Sequence, residues 1–215
     1  GLIYSMCPGP ETSQIYTGVA RLAEVVDVDG CGSSELIAWC ANSPYISVAT
    51  LELRNDWNGA WRFNAQASAL GSDAWVVSDI NDDGFPDVTL RTETTLSVLY
   101  NRGTRGVCGE WLGFEPEVRT SLALAGTGGL VVADLDGNKY VDLAYLADTN
   151  PADSDADSAV TLRGTASGFT AVGGTVLSRG GAFGLTAADL DRNGLDDLVV
   201  TGVVPISQPG ADQIS

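Results

Sequence analysis

Four short segments of this 215-residue chain place oxygen-bearing side chains at alternate positions and end in a carboxylate. The fourth is the clearest: Asp189, Asp191, Asn193 and Asp197 stand at positions one, three, five and nine. Gly194 occupies position six, and Leu195 at position seven offers a backbone carbonyl. The second repeats the set with Asp79, Asn81, Asp83 and Asp87, Gly84 at the turn and Phe85 at position seven. The third supplies Asp134, Asp136, Asn138 and Asp142, with Tyr140 at position seven. The first supplies Asp27, Asp29 and Glu35, with Gly32 at the turn and Ser33 at position seven. A hard dication such as Ca2+ takes about six to eight oxygens, and alternate residues of a tight loop can all point inward to provide them. Glycine at position six permits the positive φ that wraps the chain around an ion.

Two copies depart from the pattern. Cys31 stands at position five of the first, where the others have Asp or Asn. Lys139 replaces glycine at position six of the third and must then accept a left-handed conformation. Both loops are expected to bind more weakly than the second and fourth. One such loop alone is a common polar turn. Four, starting at 27, 79, 134 and 189, are a repeat with steps of 52, 55 and 55 residues. The helical calcium hand is excluded, because it requires a bidentate Glu at position twelve, where this chain has Ala38, Leu90, Tyr145 and Val200.

The elements that position these loops read as strands, with β-branched and apolar runs on both sides of each loop. Strand, acidic loop ending in Asp and Leu or Val, strand, at this period, resembles the FG-GAP/VCBS repeat of integrin-alpha-type β-propellers. The resemblance spans nearly the whole chain. It implies an all-β propeller of four-stranded antiparallel blades, each loop joining the innermost strand to the second, with up to four Ca2+ bound. It also implies binding or adhesion rather than catalysis.

On this reading residues 1–205 form the propeller and 206–215 a polar tail. Full blades occupy 20–68, 69–124 and 125–177, while 178–205 supply the inner strands of a split blade. Residues 1–19 are then expected to provide its outer strands and close a four-bladed ring; a larger or paired propeller is the alternative. Long runs without strand signal are expected at 101–113 and 205–215. Blade geometry puts Cys7, Cys31 and Cys108 on one face and Cys40 about 17 Å away, five residues along a strand. A Cys31–Cys40 bridge is disfavoured on that basis, and a Cys7–Cys31 bridge would staple the closing strands to the first blade.

The chain carries 28 acidic and 11 basic residues, for a net charge of −17. Four bound dications would bring it to −9. With one lysine, nucleic acid is not an expected partner. No apolar run approaches the roughly 18 residues of a membrane span. The chain begins at Gly1, without Met or a leader-like segment, and reads as a mature product or a piece of a longer chain. Four cysteines, an acidic surface and calcium loops point to a secreted or cell-surface setting. Absence of histidine and of any Cys-x-x-Cys argues against structural zinc and against Ser-His or Cys-His nucleophile pairs.

The expected role is therefore a non-enzymatic, calcium-stabilised module for adhesion or for extracellular assembly. Its partner would be a protein or glycan at a cell surface, or other copies of itself in an oligomer or filament. Trp57, Trp61 and Trp111 near outer turns offer a lectin-like alternative by stacking on sugar rings, whereas Trp39 and Trp75 read as core. A fragment of a polysaccharide lyase is a third reading. The acidic group Asp153, Asp155 and Asp157 reads as a solvated loop.

Overall fold

The computed structural model describes residues 7–8, 15–16, 20–40, 45–52, 60–67, 74–148, 158–176 and 181–202. All regular structure among them is β, in antiparallel meanders. Strands β3 (Ala20–Val26), β4 (Glu35–Cys40), β5 (Tyr45–Glu52) and β6 (Ala60–Ala67) form a first sheet in chain order. A second contains β7 (Ala74–Ser78), β8 (Asp87–Arg91), β9 (Thr95–Leu99) and β10 (Val118–Ser121). The third is β11 (Ala125–Ala133), β12 (Asp142–Asp148), β13 (Ser158–Thr165) and β14 (Gly168–Val176). After it come β15 (Ala182–Ala188) and β16 (Asp197–Gly202), a pair. Each acidic loop joins the first and second strands of its sheet, as the resemblance implied.

This arrangement is propeller-like, and apolar alternation explains it. In β7 and β8, Trp75 pairs with Leu90 and Val77 with Val88, so these four side chains share one face. That face packs on Val26, Val28 and Ile37 of the first sheet. The other face of the second sheet, with Ile80, Leu96 and Val98, packs on Leu143, Tyr145 and Val160 of the third. Leu146 and Ala159 then meet Leu185 and Val200 of the fourth pair. Every sheet between two others is thus apolar on both faces, which is what stacking blades require.

Near the N-terminus, strands β1 (Cys7–Pro8) and β2 (Ile15–Tyr16) pair with each other, and among the described strands β16 is hydrogen-bonded to β15 alone. The rest of residues 1–19, expected to complete the split blade, lies outside the described residues. The tail, Trp57 and the 153–157 acidic group lie outside the described residues, as do the side chains of Trp39 and Trp61.

The stretch 101–113, expected to lack structure, is an ordered ribbon. Backbone bonds join Arg102 N to Gly113 O, Leu112 N to Gly103 O and Arg105 N to Glu110 O. The ribbon folds back over the first two acidic loops, and glycine makes the approach possible. A Cβ on Gly103, at φ +63°, would lie 2.6 Å from Phe85 Cε2, whereas one on Gly106, at φ +79°, would meet nothing within 4 Å. Gly103→Ala is therefore expected to cost about 2–3 kcal/mol, from strain plus overpacking, and Gly106→Ala about 1 kcal/mol, from strain alone. Urea unfolding of the two variants measures the difference.

Candidate cation-binding loops

At position one, Asp27 accepts from Cys31 N and Gly32 N at 3.0 and 2.7 Å. Asp79 accepts from Asp83 N and Gly84 N at 3.1 and 2.8 Å, and Asp189 from Asn193 N and Gly194 N at 3.1 and 3.0 Å. Position three accepts from the position-five N–H in all four loops, through Asp29, Asn81, Asp136 and Asp191 at 3.0–3.1 Å; in the third loop Asp134 accepts instead from Gly137 N at 2.7 Å. Position five in turn accepts from position seven, through Asp83, Asn138 and Asn193. These bonds curl the chain so that side-chain oxygens face inward. Positions four and six carry the positive φ this demands: Asp82 at 61° with Gly84 at 90°, and Arg192 at 63° with Gly194 at 91°. In the third loop the pair is Gly137 at 71° and Lys139 at 75°, so Lys139 does adopt the left-handed conformation its position demands.

Position nine does something else. One carboxylate oxygen accepts from the position-two N–H in every loop: Val28 to Glu35, Ile80 to Asp87 and Leu135 to Asp142 at 2.9 Å, and Leu190 to Asp197 at 3.1 Å. For Asp87 the other oxygen accepts from Asn101 N, just past the third strand, and for Asp142 from Gly164 N, near the end of the third strand, each at 2.7 Å. Glu35, Asp87 and Asp142 are 5%, 0% and 2% exposed, so these are buried braces as well as potential ligands. Burial raises Glu35 and pushes Asp87 up to about 6, against the opposing effect of the backbone donors. A cation among the loop oxygens would favour the ionised form that burial disfavours.

The donor sets suit a hard cation. Asp27, Asp29 and Glu35 bring one oxygen each to within 4.8 Å of one another, as do Asp134, Asp136 and Asp142, and Asp189, Asp191 and Asp197. In the second loop Asn81 takes position three, leaving Asp79, Asp83 and Asp87 as its carboxylates. The two departures have visible consequences. Cys31 gives a thiol pushed up to about 12, first by its hydrogen bond with Cys108 and then by desolvation and Asp29, so it is neutral and a poor ligand for a hard ion. In the third loop Arg163 Nε lies 2.6 Å from Asp136 Oδ2 and already neutralises one carboxylate.

Position seven was expected to matter for its carbonyl, yet its side chain has a task of its own. Phe85 reaches Gly30 at position four of the first loop, and Leu195 reaches Gly137 at position four of the third; added Cβ atoms would lie 3.1 and 3.2 Å away. Between the second and third loops the link is an exposed ion pair, Lys139 Nζ to Asp82 Oδ2 at 3.5 Å, with the ammonium 4.7 Å from the centre of the Tyr140 ring. Asp134 N donates to Asp196 Oδ2 at 2.9 Å, and Asp196 N to Asp134 O at 2.7 Å. The four loops therefore form a linked row along one rim. Ser33 is exposed and Tyr140 half-buried within that row.

Asn101, which spacing did not single out, is the hub of the row. It is 3% exposed. Its Nδ2 donates to Val28 O and Pro86 O at 2.8 and 3.1 Å, while Oδ1 accepts from Gly103 N and Trp111 Nε1 at 2.9 and 2.8 Å. Trp111 is thereby fixed, edge-on to Phe114 with ring centres 5.2 Å apart, and packed on the first inter-sheet core. Its indole is engaged in the fold, which removes the main support for a sugar-stacking role there. The same ribbon carries Cys108. Cys31 and Cys108 are free thiols, so the Cys7–Cys31 staple is not formed. The reason is positional, since the ribbon brings Cys108 within hydrogen-bonding reach of Cys31.

Bracing and ligation separate by mutation. Without divalent cations, Asp87→Asn is expected to cost about 2–3 kcal/mol, because an amide turns a donor toward Ile80 N or Asn101 N. Asp83→Asn, on an exposed residue, is expected to change stability by less than about 0.5 kcal/mol in chelator. Urea unfolding in EDTA tests both.

Comparison with known families identifies one match: a model described as an FG-GAP-like repeat aligns with residues 79–145, from the first residue of the second loop through the third loop. No curated protein matches the chain. The strand-loop-strand units and their acidic loops agree with that match, which makes residues 79–145 similar to an FG-GAP-like repeat.

Proposed function

We propose that this chain is a calcium-stabilised, extracellular binding or assembly module without catalytic activity, holding up to four Ca2+ in its acidic loops. The observation that carries the reading is the convergence of three carboxylates within 4.8 Å in three of the loops, inside Asx turns that already aim their oxygens inward. Such a cluster repels itself without a cation. With one, it locks the first two strands of each sheet in register. Extracellular modules bind calcium at about 10⁻⁴ to 10⁻³ M, so millimolar calcium adds roughly 0.5–1.5 kcal/mol per site. The partner is a protein or glycan at a cell surface, or a further copy of the chain. No helix among the described residues is long and apolar enough to cross a membrane.

Calorimetry and thermal melts in EDTA and in 1–5 mM calcium, about the extracellular range, test the reading. Calcium is expected to raise Tm by on the order of 10 °C. Cys31→Asp should strengthen the first site. Identical melts with and without calcium would remove the basis for the metal and for the extracellular assignment.

An oxidising setting makes a separate demand on the two facing thiols. Cys31 and Cys108 would each lose a hydrogen to a low-molecular-weight disulfide, which is reduced to two thiols as the Cys31–Cys108 bond forms. Non-reducing peptide mapping of protein secreted from cells should recover the cross-linked pair; recovery of both as free thiols would count against this setting.

A further inference from the structure

The first two inter-sheet contacts are built alike, and the two ends of the array carry the corresponding positions uncovered. Toward the following sheet, the first two units present the position-two residue of the loop and the position-eleven residue of the second strand. In the first unit these are Val28 and Ile37, 1% and 0% exposed, and in the second Ile80 and Thr89, both 0%. In the fourth they are Leu190 and Val199; Leu190 is 66% exposed, and Val199 is only half-buried. Toward the preceding sheet, the second and third units present the residue two before the loop. Val77 and Val132 pack into the first two cores, whereas Val25, their counterpart in the first unit, is 68% exposed.

Leu190 and Val25 are among the few large apolar side chains that the described residues expose, and they sit where the repeat puts them in an interface. Their exposure means that, among the described residues, the array's two ends do not cover each other. We propose that they cover each other between copies: the Leu190 face of one chain receives the Val25 face of the next, head to tail. Inside the chain, position four of one loop meets positions six and seven of the next, as in Asp82 with Lys139 and Gly137 with Leu195. At the joint between copies, the same register would set the exposed Arg192, at position four of the fourth loop, against Gly32 and Ser33 of the first. A contact between two different faces is heterologous, so it closes into a ring or continues as a filament according to its rotation.

The inference deepens the assembly reading and rests on its stacked sheets, not on its metal. Sedimentation of the full chain with calcium and with EDTA tests it, with bound calcium measured alongside. The wild type should sediment as multiples of 22.3 kDa. Leu190→Asp and Val25→Asp should each sediment as single chains, with association weakened by at least about tenfold. Mixed one to one they should form a two-chain species and no larger one, because one intact Leu190 face then meets one intact Val25 face; that species also certifies both variants as folded. A wild type of one chain at all concentrations, or a mixture that stays single, overturns the proposal. Association without calcium binding would sink the metal reading and leave this one standing, and calcium binding by a single chain would do the reverse.

Discussion

A carboxylate at the ninth position of each loop, buried in the first three and bonded in all four to the N–H seven residues earlier, is the constraint on which the architecture turns. It closes the loop, and where both oxygens are engaged it also ties the end of the third strand to the first turn. Burying such a group unpaired would cost several kcal/mol. Each buried carboxylate here meets backbone donors, from the second residue of its own loop and, for Asp87 and Asp142, from the end of the third strand or just past it. Loop and sheet are therefore one unit, and anything that ionises or neutralises the loop is felt in strand register.

Those units gain from each other what none has alone. A four-stranded sheet with two apolar faces cannot stand in water, and the alternation along β7, β8, β11 and β12 leaves no face for solvent. Apolar packing holds the sheets through their middles, while the rim adds direction: a position-seven side chain leaning on a glycine of the loop before it, and an asparagine whose amide joins a ribbon to two loops. The rim contacts are polar and geometric, so they specify how sheets stack more than how tightly.

Much of this was legible in the chain. The oxygen positions follow from spacing within nine residues, and the strands from local alternation, so β4, β5, β6, β8 and β12 fall within a residue or two of where alternation puts them. Partnerships far apart in sequence were not legible. Asn101 finds Val28 across 73 residues, and Arg163 reaches Asp136 from the far end of another strand. Phe114 read as part of a strand because it is aromatic, yet it serves the ribbon and the first core, and β10 begins only at Val118.

The guanidinium of Arg163 beside Asp136 gives the third loop a resident counter-ion on one of its inward carboxylates, which no other loop has among the described residues. If dissolved cations serve the other three, withdrawal of those cations discharges the row unevenly. One middle unit stays compensated by its own side chain while its flanks are left with bare acid clusters. Loosening would then begin beside a seam that remains sewn.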